Sequence, residues 1–206
     1  MRCVEGLILA GGSSQRMGVH KMLMTIDGIP LIEHTITHML PFCRRITVVT
    51  GYGAKDVANA IAHLPNVHIV HHPDYKLGMF SSFKQGMNAL TCNLFFMMPG
   101  DMPFVQGQTF KVLLKAHCDT PVGPDRRDSH DCGAIWVPSY KRHAGHPILI
   151  EASGALYEQV MGMPNNAILK SALAPCAKTY VDVEDPGILV DLDTPEDFHA
   201  HVRAAN

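Results

Sequence analysis

Gly6-Leu-Ile-Leu-Ala-Gly-Gly-Ser-Ser-Gln-Arg-Met-Gly-Val-His-Lys21 opens as an apolar run, residues 6–10, that stops at Gly11-Gly12. A short apolar run bounded by glycine fits a strand buried on both faces. Paired glycines let the backbone approach a ligand and turn through positive φ. Successive N–H groups following such a strand form a nest for anions. Ser13, Ser14, Arg16 and Lys21 add donors suited to phosphate oxygens, and the two cations bracket Gly18. The loop is neither Gly-x4-Gly-Lys-Ser/Thr nor GxGxxG. Gly-Gly alone would read as a plain strand-to-helix turn. With both cations, the segment from Leu9 to Lys21 reads as a phosphate cradle.

Outward from that loop, strands and helices alternate. Residues 30–40 carry Leu31, Ile32, Thr35, Ile36 and Met39 at helical spacing, with Pro30 where a first-turn proline is tolerated. Residues 45–51 and 67–71 read as strands around a helix at 54–64 that Pro65 ends. Residues 81–90 read as a helix opened by Ser81 and Ser82, and 93–98 as a fourth strand running into Pro99-Gly100-Asp101. A helix at 108–117 follows. This order predicts an α/β fold with a doubly wound, mostly parallel sheet. Ligands of such sheets sit beyond the carboxyl ends of the strands, which puts the Gly11 loop, the Gly51 turn and Asp101 on one edge.

Beyond residue 118 the alternation weakens. Residues 120–131 read as a polar loop, 132–138 and 147–150 as strands, and 155–161 and 166–174 as helices. Strands are expected at 179–183 and 188–192, and Thr194 caps a last helix whose first residue is Pro195. No repeat, low-complexity tract or linker divides residues 1–206, so one domain is expected.

Composition narrows the function classes. The chain has 47% hydrophobic and 17% charged residues and a formal net charge of -2. That balance gives no reason to expect nucleic acid or an acidic membrane surface as partner. No segment approaches the roughly 18 apolar residues of a membrane span, and no signal peptide opens the chain; a cytoplasmic location is the expectation. Six cysteines lack any CxxC spacing and are expected as reduced, mostly buried thiols. The thirteen histidines do not make a transition-metal site, since His71 and His72, being adjacent in a strand, face opposite ways.

Two further constellations carry chemistry. Asp101, in Pro99-Gly-Asp-Met-Pro-Phe104, follows a strand on the edge of the phosphate loop and is placed to hold Mg²⁺. Asp191 and Asp193 alternate along an expected strand, and either serves as a second carboxylate.

The three sites together resemble the molybdenum cofactor cytidylyltransferase and guanylyltransferase group, with its LA(A/G)GxSxRMGxxK, GD-x-P and DTPED motifs. His72-Pro-Asp-Tyr-Lys-Leu-Gly-Met-Phe-Ser-Ser-Phe-Lys-Gln-Gly86 is similar to the cytidylyl branch's NPDY…GMSSSLxxG segment. Pro138 to Ile150, with Gly145-His146-Pro147, is similar to that branch's VPxYxGRRGHPxLF. The likeness runs in order along nearly the whole chain. It implies a Rossmann-like three-layer sandwich of the nucleotide-diphospho-sugar transferase type, and an Mg²⁺-dependent nucleotidyltransferase.

By position, the resemblance makes Arg16, Lys21 and Asp101 catalytic. Leu9, Ala10, Gly11, Gly12, Ser13, Arg16, Gly18, Lys21, Asp74, Ser81 and Ser82 would hold the nucleotide. Asp101 and Asp193 would bind the metal, and Gly145, His146 and Pro147 would line the acceptor side. The implied partners are a nucleoside triphosphate, a phosphorylated acceptor such as molybdopterin, and a client molybdoenzyme. CTP is favoured, although the loop reads LAGG, as in the guanylyl branch, rather than LAAG. The GDxGAR segment is replaced by Met163-Pro-Asn-Asn-Ala-Ile168, which has no arginine, and Arg142-His143-Ala144 stands for Gly-Arg-Arg. The rivals are a guanylyl enzyme, a transferase acting on another acceptor such as a sugar phosphate, and a non-catalytic cofactor-binding protein.

Overall fold

The computed structural model describes residues 3–12, 20–120, 132–192 and 198. Its centre is β1 (Val4–Ala10), flanked in parallel by β4 (Arg45–Thr50) and β6 (Leu94–Pro99). β5 (Val67–His71) extends the parallel set beyond β4. On the far side of β6 the sheet changes direction. β9 (Ile148–Ala152) is antiparallel to both β6 and β7 (Gly133–Tyr140), and β10 (Ala177–Asp182) runs parallel to β7 at the edge. The order is β10-β7-β9-β6-β1-β4-β5, with β8 (His143–Ala144) pairing on β7.

Alternation along the strands builds two cores. In β1, Ile8 and Ala10 face one layer while Leu7 and Leu9 face the other. The first layer holds α1 (Leu31–Met39), α2 (Ala54–Ile61) and α4 (Gly107–Asp119) through Ile32, Ile36, Val57, Ile61, Phe110 and Leu113. The second holds α3 (Met79–Met87), α5 (Gly154–Gly162) and α6 (Leu169–Ala172) through Phe80, Phe83, Leu156, Val160 and Ala172. Helices on both faces of a mostly parallel sheet make the three-layer sandwich expected from the sequence.

Differences lie mainly toward the carboxyl-terminal half. The segment expected as a strand at 188–192 begins as a 3-10 helix, Pro186–Leu189, because Asp185 caps its start, accepting the Gly187 N–H at 2.9 Å. The helix expected over 166–174 is a single turn, with Ile168 still extended. A hairpin, β2 (Thr25–Ile26) and β3 (Ile29–Pro30), turns at Asp27-Gly28, both with positive φ. Asp-Gly is a strong hairpin signal, so this one was there to be read. Cys3 and Cys92 form a disulfide rather than two thiols; they precede the neighbouring strands β1 and β6, with Cα atoms 5.9 Å apart. Cys43, Cys132 and Cys176 are outside any disulfide and at least half-buried, Cys176 donating its S–H to the Cys132 carbonyl at 3.5 Å, while Cys118 is exposed. The polar loop read at 120–131 lies, apart from Thr120, outside the described residues, as does the Thr194 cap; Phe198 is helical and buried.

No described helix is long and apolar enough to cross a membrane.

Candidate active site

The parallel set has the order β6-β1-β4-β5, so the connections leave β1 and β6 in opposite senses. A crevice opens between such strands at their carboxyl ends. Gly11 leaves β1 there, and Gly100-Asp101 leaves β6. The Gly100 N–H donates to the Leu9 carbonyl at 3.0 Å, which ties the two exits together. From α1, the Thr35 hydroxyl donates to the Gly100 carbonyl at 3.0 Å and fixes the turn that presents Asp101.

A cavity of about 540 Å³ fills the crevice, lined by Leu9, Gly11, Gly12, Met22, Tyr75, Lys76, Gly78, Met79, Ser82, Pro99 and Asp101. Lys21, buried in a short 3-10 helix, places its ammonium 2.7 Å from Asp101 Oδ2. Asp101 Oδ1 is buried and has no hydrogen-bond partner among the described residues. An unmatched carboxylate oxygen away from water is costly, and it is the donor type a hard cation takes.

The close fit of three loops shapes the floor. Gly51 lies so near the Tyr75 ring and the Gly11 carbonyl that a Cβ there would overlap both. At Gly11 the fit is less severe, since an added Cβ would meet Ser82 Oγ at 3.2 Å, a tight approach, and Tyr75 Cβ at an ordinary 3.5 Å. The amino end of α3 borders the cavity through Gly78, Met79 and Ser82. Helix amino termini present free N–H groups to anions.

Among the sequence-derived site residues, Leu9, Gly11, Gly12, Ser82 and Asp101 line the cavity, with Lys21 against Asp101. The Ala10 side chain points into the helical core on the other face. Ser81 also stands back from the cavity: its hydroxyl donates to the Gly78 carbonyl at 2.7 Å and meets His72 Nε2 at 2.9 Å. Those bonds position the start of α3. Asp74 is exposed just before the wall, where Tyr75 and Lys76 take the lining positions. Ser13, Arg16, Gly18 and Asp193 lie outside the described residues.

The Gly145-His146-Pro147 turn reaches the same edge because β9 is antiparallel to β6, so its start lies beside the end of β6, Ile148 opposite Met97. Gly145 packs on the Ile188 carbonyl, with no space for a side chain. The His146 N–H donates to that carbonyl at 3.0 Å. Burial of its ring pushes the His146 pKa down, against the pull of a Met97 backbone hydrogen bond and the charges of Asp101 and Asp191. His146 therefore lines this edge as a neutral imidazole at neutral pH.

Sequence reasoning missed Met22, Tyr75, Lys76, Met79 and Pro99 as lining residues. It also missed Asp185, whose buried carboxylate accepts Gln106 N–H at 2.8 Å, Thr109 Oγ1 at 2.6 Å and Gly187 N–H at 2.9 Å. Asp185 thus holds the Pro186–Leu189 turn on which Gly145 and His146 rest. No short motif announces a carboxylate used this way.

The chain that builds this cavity resembles known proteins in sequence and in fold. Residues 6–180 match the MobA-like NTP transferase domain. The chain belongs to the MobA-like NTP transferase family. It is 31% identical over 198 residues to the molybdenum cofactor cytidylyltransferase of Escherichia coli (strain K12), covering 96% of this chain and 95% of the relative. It is 29% identical over 111 residues to a probable molybdenum cofactor guanylyltransferase of Bacillus cereus (strain G9842), about half of each chain (53% and 54%). The fold superposes at a TM-score of 0.77 and 19% identity on a nucleotidyl transferase from Methanothermobacter thermautotroptrophicus, over 100% of both chains. This member of the MobA-like family is accordingly a nucleotidyltransferase, and the cytidylyl resemblance read from the sequence extends over nearly its whole length.

Proposed function

We propose that this chain, as one nucleotidyltransferase domain, moves CMP from CTP to the phosphate of a molybdopterin-type acceptor, releases pyrophosphate, and supplies a client molybdoenzyme. The observation that carries this reading is the Lys21–Asp101 pair at the mouth of the switch-point cavity. Full-length likeness to a cytidylyltransferase supports the choice of base.

An acceptor phosphate oxygen bonds to the α-phosphorus as the bond to pyrophosphate breaks. The protein's part in such a reaction is positioning and charge neutralisation. Lys21 turns from Asp101 to the triphosphate, joined by Arg16, while the backbone at 10–12 and the amino end of α3 donate to phosphate oxygens. Ser13, Gly18 and Lys76 complete the nucleotide wall, with Asp74 and the Ser81–Ser82 turn beside it. Asp101, with its unmatched Oδ1, fits Mg²⁺, and Asp193 is the second carboxylate. Bound there, Mg²⁺ would supply charge to bridging phosphate oxygens. Gly145, His146 and Pro147 face the acceptor.

The test is pyrophosphate release from purified protein with molybdopterin, Mg²⁺ and each triphosphate. Turnover with CTP is expected, and Asp101→Asn should lower kcat by roughly 10²–10³-fold. No turnover with any base overturns the reading, and full activity in Asp101→Ala overturns the metal assignment. Gly11 favours a second reading, GTP as donor, because the space left by the missing methyl enlarges the base side of the cavity. A thermal shift larger with GTP than with CTP would select it; a ligand at a hundredfold its Kd adds about 2.7 kcal/mol.

A further inference from the structure

His20 and Lys21 are neighbours in sequence that reach in opposite directions across the end of β1. The sheet places β6 on one side of β1 and β4 on the other. Lys21 extends to Asp101, just beyond β6. His20 extends to the turn beyond β4, where its Nε2 donates to the Tyr52 carbonyl at 2.8 Å. A carbonyl only accepts, so a ring proton sits on Nε2. The His20 ring stacks on the Tyr52 ring, centroids 5.3 Å apart and planes 24° from parallel. Its edge covers Gly53, where an added Cβ would overlap ring atoms Cδ2 and Nε2. Gly53 holds φ at +58° and starts α2, its carbonyl accepting the Asp56 and Val57 N–H groups at 2.9 and 3.1 Å. Glycine serves there twice, by its backbone conformation and by the space it leaves for the imidazole.

We propose that His20 is a positioning residue for nucleotidyl transfer: clamped on Tyr52 and Gly53, it holds the turn that delivers the Lys21 ammonium to the triphosphate. The inference rests on the reading of Lys21 given above. Lys21–Leu23 is a single 3-10 turn, closed by the Leu23 N–H donating to the His20 carbonyl at 2.9 Å. The His20 side chain, turned toward Tyr52, does not cap it. So short a turn has little stability alone and must be held from outside. Buried Met22 anchors its middle in the core, and His20 anchors its start. The Lys21–Asp101 contact cannot be that anchor during turnover, because the ammonium leaves Asp101 for the phosphates. The His20 clamp stays closed through that exchange. A lysine is a point charge on a flexible stem, so where its main chain is pinned decides where the charge can act.

The test compares a triphosphate with a monophosphate. Calorimetric titration of α,β-methylene-CTP and of CMP, each with Mg²⁺, into the full chain gives both affinities, with the guanosine pair run in parallel. His20→Ala should weaken the triphosphate analogue about tenfold and CMP by less than about twofold. His20→Gln, whose amide can donate to the Tyr52 carbonyl, should recover most of the loss. Tyr52→Ala, which removes a ring that is 47% exposed, should reproduce part of it and add nothing to His20→Ala. A general loss of structure would instead weaken both ligands by one factor. That result, or a His20→Ala variant that binds the analogue as wild type does, overturns the proposal. Lys21→Met is the control. If it binds the analogue as wild type does, the reading of Lys21 itself falls; if it loses the analogue while His20→Ala keeps it, the clamp alone falls.

Discussion

Lys21 and Asp101 face each other at 2.7 Å with both side chains largely out of water. Removing one member of such a pair leaves a desolvated charge. Lys21→Met should therefore destabilise the protein by about 3 kcal/mol in urea unfolding. It should also abolish the thermal shift from triphosphate; a variant keeping that shift would separate Lys21 from the phosphates. Gly11→Ala has the opposite profile. Its methyl fits beside Ser82 and Tyr75 with a few tenths of an ångström of adjustment, so stability should stay within about 0.5 kcal/mol of wild type. The ratio of CTP to GTP turnover should change, and an unaltered ratio would show that the loop's first glycine position does not read the base. Lys21, Asp101 and Gly11 were all legible in the sequence, because each sits in a motif whose spacing reports its chemistry. Tyr75, Lys76 and Met79 were not, since a cavity wall made by a loop crossing from β5 to α3 has no periodicity of its own.

The turn at Pro186–Leu189 shows why the carboxyl-terminal half was harder to read. An apolar run such as Ile188–Leu192 carries no strand-or-helix signal when short, and the buried carboxylate of Asp185, facing donors from α4, decided the matter. Asp185→Ala leaves three donors unmatched and should cost about 4 kcal/mol in urea unfolding. It should also release the Gly145-His146 turn and lower acceptor-dependent turnover more than nucleotide binding. By contrast, β1, β4 and β6 were read to within two residues, being buried on both faces and ending near glycine or proline, and β5 was read as well although it lies at the sheet edge and is only partly buried. The disulfide was invisible for a different reason. Cys3 and Cys92 are 89 residues apart and meet only because β1 pairs with β6. Closing so long a loop stabilises a chain by about 2–4 kcal/mol in typical cases. Cys92→Ser should melt below wild type without reductant, and the two should converge in dithiothreitol; identical melting in both buffers would mean the bond does not form.

Three buried or partly buried histidines, spread over the molecule, bear on its stability in acid. Burial pushes the pKa values of His38, His72 and His146 below the ordinary 6.5, with His34 adding to the effect at His38 and Asp185 opposing it. Above pH 6.5 these imidazoles are neutral whether the chain is folded or not. As pH falls below that value the unfolded chain takes up protons that the folded one resists, so stability is lost. Each group contributes at most about 1.4 kcal/mol per pH unit. Urea midpoints measured at pH 7.5, 6.5 and 5.5 should hold over the first step and drop over the second. His38→Gln should reduce that drop, and an unchanged drop would remove His38 from the set.

The reversal of strand direction after β6 has a consequence for how such a protein can change. Parallel strands build the switch-point cavity, while β9 and the residues around it help build a separate groove of about 490 Å³, and β6 borders both. Side chains on the groove side can be exchanged without touching the backbone that lines the cavity. The two hollows can thus vary independently across a lineage, one exposed residue such as Ile168 at a time.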